Sequence, residues 1–149
     1  MRQAVRAIVL KDDHLLIMQR NKFGHEYYSL VGGGIDMGES AEQALYREVA
    51  EETGIAIATP RLVIIEDAGS MYGIQYIYSC DYVGGEPALS PDSAEAKIHA
   101  GGQNLFVPMW LPLAELPATN LLPIELKQLL LAELAANFPS APIALTINS

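Results

Sequence analysis

Glu48, Glu51 and Glu52 stand at positions i, i+3 and i+4 of one short segment, with Arg47 directly before them. On a helix of 3.6 residues per turn this spacing puts all three carboxylates on one face. Like charges this close repel, and partial burial raises the cost, so they call for raised pKa values or a bound cation. Arg47, four residues before Glu51, is placed to neutralise one of the three. A hard divalent ion with oxygen ligands suits the others, which points to magnesium, with manganese as the other candidate.

The element that must carry these groups is signed at both ends. Ser40 is suited to N-cap a helix, and Gln43, three places on, completes a capping box. Gly54 is suited to the left-handed residue that closes it. A helix is therefore expected over Ser40 to Thr53, with Ala41, Ala44 and Leu45 bringing the carboxylates to the edge of its core-facing stripe. Three successive glycines, Gly32, Gly33 and Gly34, precede it and let the backbone come close to a ligand or adopt positive φ.

Gly33, Glu39 and the run Arg47-Glu48-Val49-Ala50-Glu51-Glu52-Thr53-Gly54-Ile55 keep the residue types and spacing of a known signature. Over these 23 of its 149 residues the chain resembles the Nudix hydrolase family. The resemblance implies an α/β/α sandwich with a mixed central sheet. It also implies hydrolysis of a nucleoside diphosphate linked to another group. It puts Glu48, Glu51 and Glu52 in the magnesium shell, joined by the main-chain carbonyl of Gly32. Arg47 then orients the glutamates, and Glu39 supports the loop or reaches the ion through water. The resemblance also implies a further carboxylate from a downstream loop, as a metal ligand or the general base, for which Glu95 is the candidate; Glu48 is the other candidate base. Val31 and Asp36 replace the proline and glutamate that many members carry there, and neither change removes a catalytic group.

Outside this stretch the chain says less. A length of 149 residues, half of them hydrophobic, suits one domain with a sizeable core. No apolar run reaches the length of a membrane span, and MRQAVRAIVL lacks the apolar region of a signal peptide. A cytoplasmic protein without a membrane partner is expected. Cys80 is the only cysteine, so an intrachain disulfide is excluded, and it reads as a small strand hydrophobe. Nine basic against 18 acidic residues give a net charge of −9, which repels a polynucleotide backbone and leaves a small phosphorylated nucleotide as the expected substrate.

In chain order, residues 2–10 and 15–20 read as a hairpin turning at Lys11-Asp12-Asp13-His14. Arg20 closes its second strand, either solvated or, by the resemblance, meeting substrate phosphate. Asn21 to Tyr28 reads as a polar and aromatic loop, where Tyr27 and Tyr28 suit either base stacking or the core. Pro60 is expected to break the chain before strands at 61–66 and 72–83. In the second of these Tyr76, Tyr78, Cys80 and Tyr82 share one face. Tyr72 lies 17 residues past the signature, about where diadenosine-polyphosphate hydrolases of the family carry a tyrosine; no proline like that of ADP-ribose hydrolases follows. A long turn-rich segment over 84–103 holds Glu86, Asp92, Glu95 and His99, the histidine reading as exposed. Residues 105–111 are expected to be the last core strand, followed by a helix from Pro123 to about Asn137 with Leu126, Leu129, Leu130 and Leu134 inward. The tail from Pro139 suits an edge strand or a homodimer contact.

Two enzyme readings stand at this point, with a third of another class. The first is a pyrophosphohydrolase of nucleoside triphosphates, including modified or oxidised ones, suited to the chain's small size. The second is a hydrolase of ADP-ribose or dinucleoside polyphosphates. The third is a nucleotide-binding regulatory domain without catalysis, a class that commonly loses signature glutamates, all of which this chain keeps.

Overall fold

A computed structural model describes residues 2–91 and 93–148, so Asp92 lies outside the described residues. Its centre is an eight-stranded mixed sheet. The first hairpin forms as expected: β1 (Gln3–Lys11) and β2 (His14–Lys22) turn through Asp12 and Asp13, both at positive φ. Two such residues give the turn whose twist matches the flanking strands.

The expected loop over residues 21–28 is instead a second hairpin. β2 turns at Phe23 and Gly24 into β3 (His25–Ser29), with Arg20 opposite Tyr27 and Lys22 opposite His25. Neither face of β3 is fully buried. As an edge strand it needs no apolar alternation, which is why its residues resemble a loop. The glycine run is likewise a strand: β4 (Val31–Gly34) pairs antiparallel with Ala4–Ala7 of β1.

α1 (Ala41–Thr53) is followed by β5 (Ala56–Asp67), which runs through Pro60 as an irregularity in its pairing rather than breaking there. A single helical turn, α2 (Gly69–Tyr72), precedes β6 (Ile74–Gly84), so Tyr72 stands on that turn and not in a strand. The long segment after β6 contains α3 (Ala94–His99). β7 (Asn104–Pro112) pairs with β2 along its length and leads through a 3-10 turn at Leu113–Ala118 to α4 (Ile124–Glu133). α4 stops short of the expected Asn137, and beyond it Asn137 and Phe138 adopt positive φ. The tail takes the first of its two expected roles: β8 (Ile143–Thr146) adds parallel to β5 as the sheet's edge.

The strands bury both faces. Val5, Ala7 and Val9 of β1 and Tyr76, Tyr78, Cys80 and Tyr82 of β6 pack toward Ala44, Leu45 and Val49 of α1. Ile8 and Ile77 pack on the opposite side with Leu126 and Leu130 of α4. The result is the α/β/α layering expected, with α1 and α4 on opposite faces. Burial pushes the Cys80 thiol up to about 12, so it is an inert core residue.

Candidate active site

α1 is held where the sequence puts it. Ser40 Oγ accepts from Gln43 N at 3.1 Å while Gln43 Oε1 accepts from Ser40 N at 2.8 Å, and Gly54 closes the helix at φ 69°. The two glycines facing the helix have separate reasons. A Cβ on Gly32, at φ 144°, would overlap the Val5 carbonyl oxygen, so β4 could not pair with β1. A Cβ on Gly33 would lie 2.5 Å from the Glu48 carboxyl, so glycine here makes room for that acid.

Arg47 gathers the acids, with a wider reach than the i, i+4 pairing suggests. Its guanidinium donates to Glu39 at 2.7 and 2.9 Å, to Glu48 at 2.9 Å and to the Gly34 carbonyl at 3.1 Å. Glu51 is the more distant partner at 3.4 Å, and its side chain is 44% exposed. The Arg47 hydrogen bonds hold Glu39 down at about 2, and Glu39 in turn accepts from the Asp36 amide.

Glu48 and Glu52 are buried, and desolvation raises both, Glu52 to about 8 despite the hydrogen bond it accepts from Gly32 N at 3.0 Å. Glu95 joins them: one oxygen from each of Glu48, Glu52 and Glu95 lies within 4.8 Å of the others. Three hard oxygen donors, two of them buried against their own charge, are a donor set that fits a divalent cation. Glu51, on the same helical face, stands outside this trio.

Glu95 arrives through backbone pairing. Ala88 N and Ser90 N donate to the Thr53 and Glu51 carbonyls, satisfying acceptors that the end of α1 leaves open. Ser93 then caps α3 through Ala96 N, and His99 Nδ1 accepts from Phe106 N at 3.0 Å, tying α3 to β7. His99 is thus a half-buried tether rather than an exposed loop residue.

The Gly32 carbonyl, expected to face the ion, accepts from Arg6 Nη1 at 3.2 Å. Arg6 is a residue that sequence reasoning missed; a single arginine inside the apolar strand run AVRAIVL was its signal. It also donates to Gln75 Oε1 and the Leu30 carbonyl, and with Tyr27 and Tyr72 it lines a cavity of about 500 Å³. Tyr28 packs against the α4-side core, and Arg20 lies over the Phe106 ring while bonding Asn104 and the Leu105 carbonyl.

A NUDIX domain model matches residues 1–131. The chain belongs to the Nudix family. Among curated relatives, this Nudix chain is 32% identical over 110 residues to an NAD-capped RNA hydrolase NudC of Photobacterium profundum, covering 74% of this chain and 37% of that protein. It is 30% identical over 99 residues to an ADP-ribose pyrophosphatase of Methanocaldococcus jannaschii, covering 63% of this chain and 59% of that one. The chain spans about a third of the length of the NudC relatives it matches. An ADP-ribose pyrophosphatase from Streptococcus suis shares the fold at a TM-score of 0.67 and 21% identity, covering 98% of each chain. No helix among the described residues is long and apolar enough to cross a membrane.

Proposed function

We propose that this chain hydrolyses the phosphoanhydride bond of a nucleoside diphosphate linked to a second group, with magnesium as its ion. The observation that carries the reading is the Glu48, Glu52 and Glu95 trio, joined from Glu52 through the Gly32 peptide to Arg6, which lines a cavity of about 500 Å³. Those three residues would hold the ion, with Glu51 contributing through water. The ion supplies charge neutralisation for the diphosphate and activation of the attacking water. A bond forms between the water oxygen and one phosphorus while the anhydride P–O bond breaks, releasing a nucleoside monophosphate and a second phosphorylated product. The water's proton passes to a carboxylate, Glu48 or Glu95. Arg47 keeps Glu48 and Glu39 in position, and Arg6 fixes the Gly32 peptide whose N–H holds Glu52.

The names of the relatives favour ADP-ribose-like compounds and NAD-type dinucleotides over nucleoside triphosphates, since both names describe a diphosphate joining two larger groups. The NudC names bring a capped RNA back among the candidate substrates. The net charge of −9 still favours a small dinucleotide over a long capped RNA. The test is turnover with magnesium of ADP-ribose, NAD, diadenosine polyphosphates, nucleoside triphosphates and NAD-capped RNA. Turnover of ADP-ribose or NAD lost in Glu52→Gln, with an unchanged circular dichroism spectrum, is the expected result. Full activity of that variant would remove Glu52 from the site, and binding without turnover would favour the regulatory reading.

A further inference from the structure

Glu66, near the end of β5, is 4% exposed, and its Oε1 has no hydrogen-bond partner among the described residues. Its side chain lines the cavity that Arg6, Gln75, Tyr27 and Tyr72 also line. Arg6, the natural partner for a buried acid, directs its donors elsewhere, to Gln75 and to the Leu30 and Gly32 carbonyls. An unpartnered buried carboxyl is costly, and a leucine would fill the same space without that cost. The acid therefore has lone pairs that the fold leaves unsatisfied; Oε1 is closed to solvent, so the carboxyl meets an incoming group by turning toward the cavity that the residue lines.

The walls narrow down which group that is. Leu122, Pro123, Leu126 and Ile147 line the cavity alongside the two tyrosines. A sugar carries hydroxyls on most sides and would leave several of them against apolar walls. A nucleobase has apolar faces and a polar edge, so its faces can lie on these walls while its edge meets one acid. We propose that Glu66 determines specificity in this cavity by accepting hydrogen bonds from the N–H edge of an amino-bearing nucleobase. This rests on the hydrolase reading, since Arg6 and the Gly32 peptide join the cavity to Glu52. A protonated Glu66 would donate as well as accept, so burial, which pushes it up to about 7, brings both patterns within reach near neutral pH.

Two ligand pairs differing by one amino group test the proposal, each titrated calorimetrically into the full chain. One pair is adenosine monophosphate and purine riboside monophosphate; the other is guanosine monophosphate and inosine monophosphate. In at least one pair the amino-bearing member should bind about tenfold more tightly to the wild type, as one hydrogen bond predicts. In Glu66→Leu the members of that pair should bind alike, and in Glu66→Gln, which keeps one acceptor, the gap should narrow. Glu66→Gln carries the comparison if Glu66→Leu does not fold. A wild type with no preference in either pair, no binding of any of the four, or a preference unchanged in the variants overturns the assignment. Those outcomes accompanied by normal wild-type turnover leave the hydrolase reading standing. Absence of wild-type turnover across the substrate panel overturns that reading instead.

Discussion

Arg47 is the residue on which the site's geometry depends most. One guanidinium spans Glu39, Glu48 and the Gly34 carbonyl, so it joins the glycine strand to the helix as well as offsetting charge. Lysine offers a single point charge and cannot hold three acceptors in a fixed fork. Arg47→Lys should keep the fold, judged by circular dichroism, and lower kcat roughly 10- to 100-fold, the usual effect of losing a group that orients ligands. Glu66 makes a second prediction at this scale. Burial raises its folded pKa to about 7, above the ordinary carboxyl value of 4.5, so the native state holds a proton that the unfolded chain has released. Stability contributed by that group is complete below 4.5 and is lost as pH rises toward 7. Glu66→Gln should therefore gain in melting temperature relative to the wild type across that window. A difference independent of pH would show that the acid is not protonated in the fold. Glu39 has the opposite sign: held near 2 by Arg47, it adds stability above its unfolded pKa and loses it as pH falls toward 2.

At the scale of elements, α1 and β4 form one unit whose two glycines fail differently. Gly32→Ala drives a methyl into the Val5 carbonyl and demands a left-handed φ of a residue that avoids it, so the β1–β4 pairing must yield. The expected outcome is a marked loss of thermal stability. Gly33→Ala instead meets the Glu48 carboxyl, a side chain that can move. That variant should fold, and should lose turnover because Glu48 leaves Arg47 and the acid trio. Equal stability losses in the two variants would contradict this division. Ser40→Ala removes the N-cap and should cost about 1 kcal/mol in denaturant unfolding, with little effect on KM.

For the whole molecule, charge sets how a phosphorylated substrate approaches. A net charge of −9 opposes an anionic ligand over a distance of about 30 Å in 0.01 M salt but only about 8 Å in 0.15 M salt. With magnesium saturating, KM should therefore fall as monovalent salt is raised across that range, while kcat stays nearly level. A KM that rises with salt would mean that a basic surface patch steers the substrate despite the overall charge.

Local chemistry made the catalytic helix legible. Caps, glycine positions and i, i+3, i+4 spacing are read within a few residues, so α1, its ends and the shared face of its glutamates follow from sequence alone. The same holds for the first hairpin and for the tyrosine face of β6, where period-two alternation separates the residues that face α1 from Ile77 on the α4 side. The family signature belongs here too, because its residues are nearly contiguous. Long-range pairing decided the rest. β3 is a strand because β2 offers it an edge, although its own residues bury little. Arg6 and Glu66 come from strands separated by 60 positions in the chain and meet only across the sheet, at one cavity. Glu95 reaches Glu48 and Glu52 because backbone amides at Ala88 and Ser90 close the end of α1, a contact that no local pattern records. Carboxylate spacing along a helix identifies a place to hold charge; which acid completes it, and what lies beside it, depends on how the sheet brings distant strands together.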